Sequence, residues 1–294
     1  MLNNETFVAT AILQLQDKGK LKVTDYVVKY LPEFPYPDIT IMHLLTHTSG
    51  LIAYDDLFDS LRMANPDTVF ANADVVPRYA KLKLPLLFKP GESVQYDNIN
   101  FMFASIVIEK VTGQTFADYV TKNIFKPVGM TNTGIPKASF YHWTVSDRKN
   151  LSLLYFYPHF YSGDLVQADT VSYISKYLHS YNISGAGEII STENDLLKYD
   201  QALYKGTLVS DKWLQEVYTP FRWNNGQYNA YYFGLGWMIY HDSTLDKMVR
   251  YSGGAIGLKS HILRNIAKNQ TVIIFDNTDK PLDDIAIDAL KILN

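Results

Sequence analysis

The sequence contains no cysteine, so disulfide bonds and thiolate metal sites are excluded. No stretch approaches the roughly 20 consecutive apolar residues of a membrane-spanning helix. The segment Met1 to Thr6 is polar and does not resemble an export signal. A basic excess is also missing, because the formal net charge is −3, and nucleic acid is therefore a poor candidate partner. We expect a soluble chain, with a periplasmic or exported location only if an upstream signal segment precedes it.

The composition predicts a folded protein with a large core. The 294 residues are 47% apolar, which is enough for a globular fold of one large domain or two interleaved ones. Tyrosine is abundant, with 22 residues. Half-buried packing with a solvated hydroxyl is the common use of such rings, and the lining of a substrate cleft is the alternative.

The order of the predicted elements indicates an α+β fold. Apolar residues recur at helical spacing from Phe7 to Leu15, with Asn3 or Asn4 as the cap. Further helices are predicted after Thr24, after Thr40, and over residues 98–112, 115–123, 192–203, 210–218 and 282–293. Strands are predicted at 232–240, 248–252, 259–264 and 271–275. Helices followed by consecutive strands are typical of an antiparallel sheet flanked by helices.

Five segments carry a recognisable pattern, and their order and spacing are more specific than any one of them. They are Thr6 to Leu21; Met42 to Leu51, which reads MHLLTHTSGL; Tyr96-Asp97-Asn98; Ser184-Gly185-Ala186-Gly187 with Ser191 to Leu196; and Arg250-Tyr251-Ser252-Gly253-Gly254.

Together these segments resemble the superfamily of serine β-lactamases, penicillin-binding proteins and related esterases, over residues 5–293. The stretch Leu86 to Met130 is most similar to the branch that contains esterases and class C β-lactamases. The resemblance implies a β-lactamase/transpeptidase-like fold in one domain, 1–294. It implies a helical lobe at about 20–205, a sheet and C-terminal helix at about 206–294 packed with helix 4–18, and a variable lobe at 135–182.

The resemblance also implies the chemistry of the site. Acyl transfer needs a hydroxyl nucleophile, a base that takes its proton, and N–H donors directed at the developing oxyanion. By resemblance, Tyr96 and Asn98 match the tyrosine and asparagine of the family's Tyr-x-Asn motif, and Tyr251 to Gly254 form the substrate-binding strand. The Gly254 N–H is the implied oxyanion donor.

At the nucleophile motif, this sequence differs from the family pattern at two positions. The family carries Ser-x-x-Lys at the start of its first helix, and alignment of Thr6 and Phe7 with that helix puts Leu2 at the serine and Glu5 at the lysine. A hydrocarbon replaces the hydroxyl and an anion replaces the cation. We therefore expect no acylation at this position.

A third departure concerns the substrate-binding strand. Tyr251 stands where the family has histidine or lysine, so a phenol that is neutral at pH 7 replaces a potential cation. We expect weak binding of carboxylated β-lactams.

The family also places two strands ahead of the first helix. Without them the sheet would expose an edge, which favours pairing with another chain. Shortening of a longer protein and replacement by a partner are both open, with shortening favoured, and a homodimer through the sheet edge is possible.

Other candidate sites have weaker support. The only Ser-x-x-Lys in the chain is Ser146 to Lys149, in an irregular context that predicts a solvated turn. His43 and His47 have the spacing of metal ligands on a helix, but no acidic third ligand accompanies them. We predict no metal site and no cofactor.

Two functions remain. The first is a serine hydrolase that acts on an ester, amide or β-lactam through an acyl-serine, represented here by a shortened and nearly inactive chain. The second is a non-catalytic pseudoenzyme that binds a ligand or partner in the cleft. For this chain the sequence predicts little or no acyl-enzyme turnover.

Overall fold

The structure is a computed structural model, and it describes residues 4–53, 70–135, 149–158, 163–171, 181–185, 187–228, 232–278 and 280–293. Within these ranges, α-helices dominate the first two thirds and a four-stranded sheet with one helix forms the last third, so the predicted α+β class is confirmed. The described helices are α1 (Glu5–Asp17), α2 (Ile41–Leu45), α3 (Asn72–Leu82), α4 (Ile99–Thr112), α5 (Phe116–Val120), α6 (Lys126–Val128), α7 (Glu193–Tyr204), α8 (Asp211–Val217) and α9 (Asp283–Ile292).

The strands of the main sheet follow one another in the chain and pair in that order. Short two-residue strands elsewhere are β1 (Phe70–Ala71), β2 (Tyr155–Phe156), β3 (Val166–Gln167) and β4 (Tyr181–Asn182). The main sheet consists of β5 (Met238–Asp242), β6 (Asp246–Ala255), β7 (Leu258–Asn265) and β8 (Gln270–Asp276), all antiparallel.

The register of β5 leaves half of β6 open on one side. Pairing of β5 with β6 runs from Asp246 to Arg250, where Met238 is the last partner. In the described part of the chain, no strand pairs with Tyr251 to Ala255 on that side. β7 pairs with this half of β6 on the other side, with Tyr251 opposite Ile262. The side of β6 that faces away from β7 can therefore form the wall of a cleft.

Helix α1 is the central helix of the core. It is enclosed by other elements, and Glu5 to Leu15 are all buried, including the polar residues Thr6, Thr10 and Gln14. Phe7 makes ring contacts with Phe125 and Tyr199, at centroid distances of 5.6 and 4.3 Å. Thr10 Oγ1 lies 2.8 Å from the Tyr199 hydroxyl, which ties α1 to α7.

Capping interactions confirm three helix boundaries that the sequence predicted. The Thr40 and Thr192 hydroxyls accept hydrogen bonds from the N–H groups three residues later, at the starts of α2 and α7. Gly113 ends α4 in the left-handed conformation, at φ 67°.

Three local predictions were wrong. Of the two predicted caps of α1, Asn3 lies outside the described residues, and the Asn4 side chain accepts from the Ile189 N–H instead of capping the helix. The predicted helix after Thr24 is a single 3-10 turn at Val27–Lys29. The strand predicted at 232–240 begins only at Met238, because Tyr232 has φ 51° and a turn follows it.

A buried ion pair connects α7 to the sheet. Arg264 on β7 donates to Asp200, and the two side chains are 2% and 3% exposed. The Thr271 hydroxyl donates to the same carboxylate at 2.9 Å, and the guanidinium stacks 3.8 Å from the Tyr204 ring. The pair compensates the two charges that the core encloses.

Within the described ranges, no helix is both long and apolar enough to cross a membrane. The proposed division into lobes remains a prediction, and much of the predicted variable lobe lies outside the described residues.

Candidate functional site

A cavity of about 500 Å³ lies where the first turn of α1, the segment before α4 and the open half of β6 meet. Its size is that of a small-molecule pocket. It brings together Glu5, Tyr96, Tyr251 and Ser252, which the sequence assigned to one site from three separate segments. The described residues that line it are Glu5, Val94, Gln95, Tyr96, Phe233, Gly236, Met238, Arg250, Tyr251, Ser252 and Asp283.

Gly236 allows the first turn of α1 to reach this cavity. It has φ 76°, a conformation that favours glycine. A Cβ atom there would lie 2.8 Å from Ala9 Cβ and 2.9 Å from the Glu5 carbonyl oxygen. Its N–H donates to the Leu45 carbonyl at 3.1 Å. The turn before β5 therefore lies directly against α1 and α2.

Glu5 contacts a buried histidine. The Glu5 side chain is 5% exposed, and its Oε1 lies 3.4 Å from His47 Nε2. His47 belongs to the segment that follows α2 and is 1% exposed, with φ 56°. The sequence predicted no metal site at His47, and the structure adds its contact with Glu5.

The hydrogen bonds of His47 fix its tautomer. Its Nδ1 accepts from the Asp97 backbone N–H at 3.3 Å, and the Asn100 amide nitrogen lies 3.4 Å from the same atom. A backbone N–H can only donate, so Nδ1 carries a lone pair and the ring proton is on Nε2. We assign His47 as a neutral imidazole whose Nε2–H faces Glu5.

Tyr96 and Phe233 form the aromatic wall of the cavity. Tyr96 is 46% exposed, and its ring lies 4.6 Å from the His47 ring and 6.2 Å from the Phe233 ring. Asn98, the second residue of Tyr-x-Asn, is half-buried just before α4 and is not among the lining residues.

The opposite wall is strand β6. Tyr251 is buried, and burial, followed by the Glu5 carboxylate, raises the pKa of its phenol well above the ordinary value. Its phenol therefore stays neutral across the physiological range, as the sequence predicted. Gly253 and Gly254 continue the strand opposite Ser260 and Lys259. The implied role of the Gly254 N–H remains a prediction.

Two further contacts involve the lining residues Ser252, Arg250 and Asp283. Ser252 Oγ lies in hydrogen-bond contact with His261 Nδ1 at 2.9 Å, and burial lowers the pKa of that histidine. Arg250 donates to Asp283 at the start of α9. Sequence reasoning missed Phe233, Met238 and Asp283, which belong to none of the family's motifs.

The remaining predicted residues have different outcomes. Leu2 and Ser146 lie outside the described residues, and Lys149 is exposed in a turn. The His43 ring accepts from the Thr40 N–H at 3.2 Å, which is a structural role. Within the described ranges, no group of three or more His, Asp or Glu residues could hold a metal ion.

Comparison with known proteins agrees with the family resemblance of the sequence motifs. The Beta-lactamase family model matches residues 6–294. The chain is 31% identical over 280 residues to Penicillin-binding protein 4* of Bacillus subtilis (strain 168), covering 94% of this chain and 60% of that protein. It is 30% identical over 275 residues to the putative penicillin-binding protein PbpX of the same organism, covering 92% and 59%. The chain thus spans about three fifths of the length of these relatives.

Two solved structures are similar over nearly the whole chain. The penicillin-binding protein from Bacillus halodurans has a TM-score of 0.78 at 26% identity, covering 99% of this chain and 84% of that one. A D-stereospecific amidohydrolase from Streptomyces sp. has a TM-score of 0.74 at 25% identity, covering 94% and 80%. The β-lactamase/transpeptidase-like fold is therefore confirmed.

Proposed function

The chain belongs to the β-lactamase family, and from that premise we propose that it retains the family's ligand cleft but turns over its ligand slowly or not at all through an acyl-serine. The observation that carries this proposal is the side chain at the lysine position. Glu5 is buried in the first turn of α1 and lines the same cavity as Tyr251.

Two substitutions together remove the acylation chemistry. A hydroxyl is needed at the serine position to form the acyl bond, and Leu2 offers only hydrocarbon there. The lysine normally provides a cation next to that hydroxyl, whereas Glu5 provides a carboxylate with a neutral His47 beside it. A substrate carbonyl in this cavity would meet no attacking oxygen at the usual place.

The rest of the cleft supports binding. Tyr96, Tyr251 and Ser252 line a single cavity, as the family's mechanism requires of its substrate site. The similar amidohydrolase supports including amides with esters and β-lactams among the candidate ligand classes.

A catalytic hydrolase is the second candidate, and the same intact walls favour it. Its nucleophile would come from residues other than Leu2. Reading the genomic frame upstream of Met1 tests this cheaply, because an in-frame segment that supplies Ser-x-x-Lys directly ahead of Thr6 would restore the hydrolase.

Intact-mass spectrometry after incubation with a fluorescent penicillin, and separately with an activated phosphonate ester, tests the main proposal. A family member with Ser-x-x-Lys serves as the positive control. We expect no adduct on this chain. An adduct that peptide mapping assigns to a serine in the cleft would overturn the loss of acylation.

A homodimer through the sheet edge is also proposed. In the described residues, β8 is the last strand of the sheet and no strand pairs with its outer side. An open edge of this kind can pair with a second copy. Light scattering coupled to size-exclusion chromatography would give a mass near twice 33.6 kDa if the copies pair, and the monomer mass otherwise.

A further inference from the structure

The segment that follows α3 forms a basic and partly apolar surface. Residues 75–91 contain four basic residues and no acidic one, in a chain whose formal net charge is −3; the basic residues are Arg78, Lys81, Lys83 and Lys89. Exposure alternates over residues 83–89, where every second residue is exposed. The exposed residues of this surface, which we name the basic strip, are Lys81, Leu82, Lys83, Pro85, Leu87 and Lys89.

Contacts along the backbone hold the strip in place. The Leu84 carbonyl accepts from the Tyr36 hydroxyl at 2.9 Å, and the Leu87 N–H donates to the Gly50 carbonyl at 2.8 Å. Leu84 and Leu86 are half-buried and pack against the main core. In an extended segment, alternate side chains point to opposite sides. The residues between these two leucines and on either side of them are therefore directed at solvent from a fixed backbone.

The positive charges of the strip are not cancelled within the part of the chain that the structure describes. Lys81, Lys83 and Lys89 form no ion pair with any described residue. Asp74, the acidic residue ahead of them in the sequence, accepts from a backbone N–H at the opposite end of α3. A positive surface therefore remains on a chain that is acidic as a whole.

Two exposed leucines lie among these lysines. Leu82 and Leu87 are 38% and 57% exposed. Apolar side chains of this kind gain free energy by entering the interface of a bilayer, while neighbouring lysines keep their ammonium groups at the level of the headgroups. The exposed Ile285 and Ile292 of α9 do not share this setting, because the exposed Asp284 precedes Ile285.

We propose that the basic strip docks on the surface of a bilayer that contains anionic lipid, with the three ammonium groups at the lipid phosphates and Leu82 and Leu87 in the interface. A soluble polyanion would use the lysines alone, so the exposed leucines favour a lipid surface. The inference goes beyond the proposed function and does not depend on what the cleft binds.

Co-sedimentation of the unaltered protein with lipid vesicles tests the docking. One set of vesicles is phosphatidylcholine alone, and the other contains equal amounts of phosphatidylcholine and phosphatidylglycerol. We expect binding to the anionic vesicles to be at least about tenfold tighter. The advantage should shrink in about 0.5 M NaCl, where salt screens the lysines. A chain of net charge −3 has no such preference unless a local positive surface faces the lipid.

A lysine variant assigns the preference to the strip. It combines Lys81→Gln, Lys83→Gln and Lys89→Gln and should bind the anionic vesicles at least about tenfold more weakly. The matched control removes the same charge at three exposed lysines outside the strip: Lys122→Gln, Lys205→Gln and Lys268→Gln. The control should bind nearly as well as the unaltered protein.

A leucine variant tests the apolar contact. Leu82→Ser with Leu87→Ser should weaken binding to the anionic vesicles by at least about tenfold, since less apolar surface enters the interface. Ile285→Ser with Ile292→Ser is the control, because these side chains are 57% and 85% exposed and lie outside the strip. Circular dichroism checks that all variants fold.

Several results would overturn membrane docking. They are failure of the unaltered protein to bind the anionic vesicles, equal binding by the lysine variant and its control, and unchanged binding by the leucine variant. Fluorescence anisotropy with labelled poly-glutamate covers the other class of partner. If the unaltered protein binds poly-glutamate through the three lysines but does not bind vesicles, the strip recognises an acidic polypeptide and the proposal is wrong.

Discussion

A Cβ atom on Gly236 would lie 2.9 Å from the carbonyl oxygen of Glu5, so the turn before β5 lies directly against the first turn of α1. This contact sets the depth at which Glu5 enters the cleft. It links residues that are far apart in the sequence, and it depends on the absence of a side chain at position 236.

Gly236→Ala should therefore damage both stability and ligand binding. The added methyl group must displace α1, in addition to the cost of about 1–2 kcal/mol for a left-handed alanine. Gly226→Ala is the control, because Gly226 has φ 82° and no atom lies within 4 Å of its Cβ position. Urea unfolding should show a clearly larger loss for Gly236→Ala. Equal losses would mean that backbone strain alone accounts for the effect.

Tyr96→Phe should leave the hydrolysis rate unchanged. With leucine and glutamate at the serine and lysine positions, the phenol has no nucleophile to assist. Initial rates with nitrocefin and with a p-nitrophenyl ester measure this, and Tyr26→Phe, an exposed tyrosine outside the cavity, is the control. A rate that falls at least about tenfold in Tyr96→Phe alone would reveal a working nucleophile.

Arg264→Met should strongly destabilise the fold. It would leave the Asp200 carboxylate buried without its cation, at a cost of about 3–5 kcal/mol. Lys29→Met is the control, because it removes the cation of a pair with Asp25 at 2.9 Å that solvent screens. Its loss of stability should be much smaller. The free energy of unfolding in urea compares them. Similar losses would contradict a structural role for the buried pair.

Asp195 should make stability depend on acid pH. Burial opposes its ionisation, but hydrogen bonds to its carboxylate outweigh burial and lower the pKa of Asp195 below its ordinary value. The donors are the Lys198 ammonium at 2.7 Å, the Asn132 N–H at 2.7 Å and the Thr133 hydroxyl at 3.0 Å.

Since the folded pKa lies below the unfolded value of about 3.9, this stabilisation is complete above about pH 4 and is lost as the pH falls further. Asp195→Asn should cost about 1–3 kcal/mol at pH 7. The difference from the unaltered protein should shrink below about pH 4. Urea unfolding at several pH values measures it, and a difference independent of pH would contradict the assignment.

Sequence patterns predicted the fold where local and tertiary preferences agree. The threonine caps of α2 and α7, Gly113 after α4 and the last three strands all follow from short-range rules. Prediction failed where tertiary contacts decide. Helix α3 contains Pro77, a residue that usually ends helices, and it received no prediction.

The sequence by itself determined the family and the identity of the altered groups, because the order of motifs and the side chains Glu5 and Tyr251 are properties of the chain alone. Only the tertiary structure decided what surrounds them. The proton on His47 Nε2, the Arg250–Asp283 pair and the proximity of Phe233 all depend on distances through space. Packing brings these groups together from distant parts of the chain, and no local pattern encodes which charges face one cavity.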